Sequence, residues 1–319
     1  MVQRPSPLRY TRQRLIAPLA GEAGEVSVKY LWDDIPMKRR AAGALFSIVL
    51  LAVAVGNAFA QAGPPYQVDD PDPVPYHHFE AYIFSLSDSA KDVGTAWNGP
   101  GSYEMNYGAA PRLQLHLVIP FVYEFGPDGT VTRGFGDTEL GAKLKLSDEK
   151  RFLPEIGIFP FVELPSGDAS RGLGVGKTWY RVPFWLKKSF ADDKWSVYAG
   201  GGETIVPQDG YRNFPFAGAL FQHKFTDKLV LGLEFFGHGF EGDPGTAPDR
   251  AVLADFGGYY AFTEHFQFLF AGGHSVVWAP ETYTYLAAYW TWGKGPEDSK
   301  DKTSANADTS QKLFRGTMH

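Results

Sequence analysis

From Leu113 to Tyr123 every odd position is apolar: Leu113, Leu115, Leu117, Ile119, Phe121 and Tyr123, with Gln114, His116 and Glu124 among the intervening residues. A strand turns successive side chains to opposite faces, so this stretch presents one apolar face and one polar face along its whole length. Soluble strands usually run about five or six residues, whereas a tilted strand that crosses a bilayer needs about 9–11. The stretch has the second length. The same alternation recurs in Leu229, Leu231, Leu233 and Phe235, opposite Gly232, Glu234 and His238. It recurs again in Leu140, Ala142, Leu144 and Leu146, opposite Glu139, Gly141, Lys143 and Lys145, and near the end in Leu286, Ala288, Trp290 and Trp292.

Twelve such segments are expected, at 77–85, 101–109, 112–125, 135–146, 153–164, 176–190, 194–206, 213–225, 228–241, 250–262, 265–276 and 282–292. Their connections alternate between tight turns, such as Ala110-Pro111 and Thr226-Asp227, and longer loops, such as those from Asp88 to Pro100 and from Pro165 to Val175. Short turns on one side, longer loops on the other and an even strand number predict an all-β fold. It is a transmembrane antiparallel up-and-down β-barrel of about 12 strands. A composition of 8 Trp, 16 Tyr, 25 Phe and 36 Gly suits it. A soluble β-sandwich is the alternative, but it needs neither two loop classes nor aromatic strand ends. Twelve strands about 4.8 Å apart and tilted about 40° close a backbone cylinder of roughly 24 Å, leaving a lumen of about 10 Å once side chains fill it.

The ends of the chain have other roles. Met37-Lys38-Arg39-Arg40 opens a basic n-region, the run from Ala41 to Val55 is apolar and uncharged, and Ala58-Phe59-Ala60 is a small-x-small cleavage site ahead of Gln61. Residues 37–60 therefore read as a secretory signal peptide, and residues 1–36 as an N-terminal extension before a start at Met37. Residues 61–76 contain Pro64-Pro65 and Asp69-Asp70-Pro71-Asp72-Pro73, which a central strand cannot accept, and are expected as an extended periplasmic lead-in. The barrel is placed at 77–292 and a disordered polar tail at 293–319. The first sixty residues hold 8 of the 30 basic and 4 of the 36 acidic residues, so the rest carries an acidic excess of about ten, which argues against a nucleic-acid partner. With no cysteine, disulfide scaffolds, thiol catalysis and Cys-ligated zinc are excluded. The expected location is the bacterial outer membrane, with both termini periplasmic.

A charge on the lipid face at mid-depth costs about 2–4 kcal/mol, so the ionisable residues opposite the apolar stripes should line the lumen. They are Glu80, Glu104, Glu124, Glu139, Lys143, Lys145, Glu155, Glu163, Arg181, Lys187, Glu234 and Asp255. A satisfied polar plug and a conducting path remain open alternatives for this set. If Ser147 to Phe152 is a tight turn, Leu146 lies opposite Phe152, which brings Lys143 opposite Glu155 on the lumen face. Gly200 to Gly202 leaves the parity of the neighbouring strands open, since a bulge is expected there.

Other motifs carry little chemistry. The stretch from Gly172 to Thr178 imitates a phosphate loop, but Arg171 stands where the leading glycine belongs and no helix follows. His274 and Ser275 are adjacent on a strand and point apart, as do His77 and His78. No catalytic residue, metal site or cofactor is expected.

Several stretches resemble one family. They are Asp69-Asp70-Pro71 ahead of a strand with Glu80, Asn106-Tyr107-Gly108 before a tight turn, Gly134-Phe135-Gly136-Asp137-Thr138-Glu139-Leu140-Gly141, and Leu164-Pro165-Ser166-Gly167-Asp168. Together they resemble, over about residues 68–292, the outer-membrane barrels named for the meta-cleavage pathway of phenol degradation. The resemblance implies a barrel and the uptake of hydrophobic or aromatic compounds. The long N-terminal extension and the tail after the last strand depart from the family's pattern.

The leading expectation is an outer-membrane channel or transporter for small molecules, including hydrophobic or aromatic ones, and not an enzyme. A structural barrel with a plugged lumen and a lipid-modifying barrel enzyme are the alternatives. The expected partners are outer-membrane lipid, the barrel-assembly machinery and a small-molecule solute.

Overall fold

A computed structural model describes residues 63–90, 94–125, 130–209, 211–240 and 250–293. The extension, the signal peptide with Ala58, Ala60 and Gln61, and the tail beyond Gly293 lie outside the described residues. The strands are β1 (His78–Ala90), β2 (Gly94–Ala110), β3 (Leu113–Ile119 and Phe121–Phe125), β4 (Val131–Phe135 and Thr138–Ser147) and β5 (Glu155–Ile158 and Phe161–Leu164). They continue with β6 (Trp179–Phe190), β7 (Trp195–Ile205), β8 (Phe214–Lys224), β9 (Leu229–His238), β10 (Ala251–Ala261), β11 (Phe266–Trp278) and β12 (Glu281–Gly293). Each strand pairs antiparallel with its sequence neighbours, and β1 pairs with β12 from His78 opposite Gly293 to Ala90 opposite Glu281. The result is a closed 12-strand antiparallel β-barrel, as the alternation predicts. Closure leaves no open sheet edge, which lets strands cross a bilayer.

The apolar stripe faces outward. Leu115, Leu144, Leu146, Val182, Phe184, Leu233, Phe235 and Leu286 are exposed large hydrophobics. Exposed aromatic side chains gather at both rims: Phe190, Trp195, Phe225, Phe262 and Trp292 at the tight-turn end, and Phe125, Phe135, Tyr180 and Trp278 at the long-loop end. Two aromatic girdles around an apolar band are what a bilayer with two interfaces selects.

The structure corrects several expectations. β1 and β2 extend well into residues 88–100, which the sequence reads as a loop. Pairs such as Ser87 opposite Trp97 and Ala90 opposite Gly94 continue the hairpin past a register shift between Phe84 and Leu86. Gly99-Pro100-Gly101, where the loop is expected to end and the second strand to begin, is the bulge that makes this shift. Conversely, no bulge occurs at Gly200 to Gly202, where β7 keeps one register with both neighbours.

Lys143 does not face Glu155 either, because the β4–β5 turn is centred on Arg151-Phe152, further along the chain than a pairing of Leu146 with Phe152 requires, and the register shifts again between Lys145 and Ser147. Lys150 and Leu153 exchange backbone hydrogen bonds of 2.9 and 3.2 Å, and Pro154 has no N–H for the ladder, so β5 starts at Glu155. Leu144 then lies opposite Ile158 and Lys145 opposite Gly157, a four-residue displacement from the expected register.

Residues 63–77 cover most of the segment expected as an extended lead-in. They form no strand, as their prolines require, but run inside the barrel. Their partners lie on β3, β4, β6, β9 and β12, and a segment touching all five strands can do so only from within. Glycines in the wall make room for it. A Cβ on Gly157 would stand 2.8 Å from Pro71, and one on Gly108 only 2.1 Å from the Pro75 carbonyl oxygen.

Candidate functional site: the occupied lumen

Alternation on the strands positions the inward side chains, and the lead-in decides what they touch. The ammonium of Lys143 donates to Asp69 at 2.9 Å and to Asp70 at 3.1 Å. Lys145 and Lys187 each reach Asp72 at 2.7 Å, one on each carboxylate oxygen. Lys145 also contacts Glu155 at 2.9 Å, and Glu155 lies directly opposite Lys187 in the β5–β6 ladder. Burying a single charge in such a place would be costly, so three lysines and three aspartates compensate one another. Further along, Glu234 accepts backbone N–H bonds from Val68 at 2.6 Å and Gln67 at 3.2 Å, while Asp255 sits opposite it on β10. The Gln114 side-chain oxygen accepts from the N–H of Val74, and the Tyr283 hydroxyl donates to the Pro65 carbonyl.

A second network crosses β12, β1, β2, β3 and β4. Tyr289 donates to Glu80 at 2.8 Å, with Tyr82 also near it. The Asn106 amide donates to Glu104 at 3.0 Å, and its oxygen meets His116 Nδ1 at 2.7 Å. The other ring nitrogen of His116 meets Glu139 at 2.8 Å, and Glu163 lies directly opposite Glu139 on β5. Glu124 lies beside Gly172 of the loop after β5. The Arg181 guanidinium stacks 4.3 Å from the Phe216 ring centroid. All twelve residues selected from the sequence are buried or half-buried.

Lysines and Glu155 cluster on β4–β6, Glu104 joins the histidine network, Glu80 is held by Tyr289, and Glu234 holds the lead-in with Asp255 opposite it. Sequence reasoning missed Asp69, Asp70 and Asp72 as site residues. Their signal was the run Asp69-Asp70-Pro71-Asp72-Pro73 itself, three carboxylates on a segment that no strand accepts. It also passed over Asn106, Gln114, Tyr283 and Tyr289, whose polar atoms only the closed barrel brings to their partners.

Apolar surface fills the rest. Tyr66 and Val68 of the lead-in pack with Phe159, Trp185, Tyr198, Phe216, Leu220 and Phe236. A separate cluster holds Tyr82, Phe84, Tyr259, Leu269, Tyr283, Tyr285 and Tyr289. Among the described residues no group of His, Asp and Glu is arranged to hold a metal ion.

The sequence model of the family described as "Putative MetA-pathway of phenol degradation" matches residues 101–292. The chain belongs to that family. No curated protein matches it in sequence. The crystal structure of the COG4313 outer membrane channel from Pseudomonas putida F1 is similar, with a TM-score of 0.56 and 16% identity over 70% of this chain and 98% of that one. The two share a fold. The KdgM porin in complex with disordered oligogalacturonate gives a TM-score of 0.46 and 10% identity over 67% of this chain and 99% of that one.

In this member of the phenol-degradation family, the glycine and turn motifs do structural work. β4 breaks at Gly136-Asp137, and the buried Asp137 carboxylate accepts from Gly167 N–H at 2.8 Å and Val175 N–H at 2.6 Å. That clamp draws the loop 165–178 inward and buries Leu173 and Val175. Within the loop, Asp168 caps the short 3-10 turn Ala169–Arg171, and bonds from Ser170 hold its carboxyl below the usual range. The glycine stretch from Gly172 to Lys177 thus belongs to a tethered loop, with no helix after it for a phosphate.

Proposed function

We propose that this protein is an outer-membrane channel or transporter for small hydrophobic or aromatic molecules, with its lumen closed at rest by residues 63–77. One observation carries the reading. The occupant of the lumen is a strandless segment ahead of β1 whose contacts with the wall are hydrogen bonds, ion pairs and apolar packing, so it can leave without breaking the wall. The aromatic lining beneath Tyr66 and Val68 suits an apolar solute, and the family's link to phenol degradation agrees with an aromatic one. The similar Pseudomonas putida protein is described as an outer membrane channel, and the same activity is proposed here. β1 begins and β12 ends at the rim that carries the tight turns, which supports periplasmic termini.

A second reading, a structural barrel that never opens, draws on the same segment, because its ionic contacts are extensive. Single-channel conductance and liposome swelling with phenol-sized solutes, on the full chain and on a chain lacking residues 61–76, separate the two. A channel gives rare openings in the full chain and steady conductance once the segment is removed. Silence in both, with the barrel folded, establishes the structural reading.

A further inference from the structure

We propose that the lumen contains a binding site for aromatic carboxylates, and that residues Tyr66 to Asp72 of the lead-in occupy it in the closed barrel. The inference rests on the reading of the lead-in as a removable occupant.

The chemistry of the occupant defines the site. Its carboxylates lie on three ammonium groups: Asp69 and Asp70 on Lys143, and Asp72 on both Lys145 and Lys187. Its ring, Tyr66, shares one apolar cluster with Phe159, Trp185, Tyr198 and Phe216, together with Val68. The cationic and aromatic parts adjoin. Lys143 sits 5.2 Å from the Phe159 ring centroid, and Lys187 sits 6.0 Å from that of Tyr198. One short segment therefore presents an aromatic ring and carboxylates to a wall that offers aromatic faces and ammonium groups.

Departure of the segment would leave those lysines undercompensated. Among the described residues, the barrel itself offers them only Glu155, 2.9 Å from Lys145, and Asp148, 3.5 Å from the same group. Among the described residues, Lys143 and Lys187 form ion pairs only with the lead-in, while Glu155 lies opposite Lys187 in the β5–β6 ladder. An ammonium left in such a place is costly until another anion replaces the lost one. A carboxylate restores the charge-assisted hydrogen bonds, and an attached ring fills the slot left by Tyr66. Chloride supplies only the charge, and an uncharged aromatic only the ring. A solute with both competes with the segment and binds only the open form, so it shifts the population toward opening. The site would thus make an aromatic acid the opener of its own path.

The chain has no cysteine, so Val68→Cys introduces a single thiol at a position that is fully buried. The test uses the full chain in liposomes and follows the rate at which a water-soluble thiol reagent modifies residue 68. Sodium benzoate should raise that rate at least about fivefold over sodium chloride of equal ionic strength, while benzamide should leave it within about twofold, as expected for a ligand selective for the open state. Equal rates in benzoate and chloride overturn the proposal. A benzamide effect as large as that of benzoate overturns the carboxylate part of it. Adding Lys187→Met should abolish the benzoate response, and a response that persists in a folded barrel removes Lys187 from the site. If that double variant does not fold, the three solutes on the single variant still decide the question. Conductance is not the readout, so a barrel that never conducts but shows benzoate-dependent labelling sinks the channel reading and keeps the site.

Discussion

Two arcs of the barrel wall share one alternation but are filled in different ways. In β3–β5 every strand is broken, at Pro120, at Gly136-Asp137 and at Phe159-Pro160, and the inward positions carry Gln114, His116, Glu139, Lys143, Lys145 and Glu155. In β11, β12 and β1 the ladders run unbroken, from Phe266 opposite Trp290 to His274 opposite Thr282, and from His78 opposite Gly293 to Ala90 opposite Glu281. Their inward positions carry Tyr82, Phe84, Tyr283, Tyr285 and Tyr289. The unbroken arc fills its own share of the interior with rings that stack on one another, Tyr82 on Tyr289 at 4.6 Å and Phe84 on Tyr285 at 5.7 Å. The broken arc cannot. Its lysines need the aspartates of a segment that precedes the first strand. The comparison teaches that one arc fills itself with rings and meets the lead-in through the Tyr283 hydroxyl, whereas the other is half of an ionic interface.

Removing a cation from the broken arc should have the largest effect. Lys143→Met leaves Asp69 and Asp70 buried without their counter-ion, which should weaken docking of the lead-in by about 3–5 kcal/mol. Limited proteolysis near residue 68 would report it, with heat-modifiable gel migration as the check that the barrel is folded. Unchanged protection would mean that the ionic contacts are not what holds the segment.

On the lipid face the two halves should behave alike. Leu117→Arg on β3 and Leu286→Arg on β12 should each reduce folding stability in bilayers by about 2–4 kcal/mol, measured by urea titration. A clear difference between them would mean that the broken strands do not sit at the depth that the apolar stripe implies.

Smaller effects test the tyrosine arc. Tyr289→Phe removes the hydroxyl that donates to Glu80 at 2.8 Å and should cost about 1–3 kcal/mol in the same titration. Tyr285→Phe removes a buried hydroxyl that has no hydrogen-bond partner among the described residues, so it should change stability by less than about 0.5 kcal/mol. Equal costs for the two would show that packing, and not the bond to Glu80, sets the energetics of this arc.

Much of the architecture was legible in the residues. A period of two over long segments, with charge kept from one face, requires a two-faced strand, and a bilayer around the outside leaves closure as the one way to pair every edge. That logic assigned Leu115, Leu233 and Leu286 to the outside and Glu80, Lys143 and Glu234 to the buried face with no knowledge of their neighbours. The register of Lys143 was not legible, because it depended on where within residues 147–154 the turn is centred. The reciprocal bonds of Lys150 with Leu153 settle that only once the chain is folded. Gly99-Pro100-Gly101 posed the same problem in reverse, since a turn and a bulge draw on the same residues.

The sequence by itself determined which side chains face lipid and which face inward, since parity is a local property of a strand. Only the tertiary structure decided what the inward side chains meet. Asp69, Asp70 and Asp72 stand more than seventy residues from Lys143 and Lys145 and more than a hundred from Lys187, and no period or motif links them. What links them is the closed barrel: a wall that buries lysines must be given carboxylates, and the nearest chain free to supply them is the segment that enters the lumen before β1.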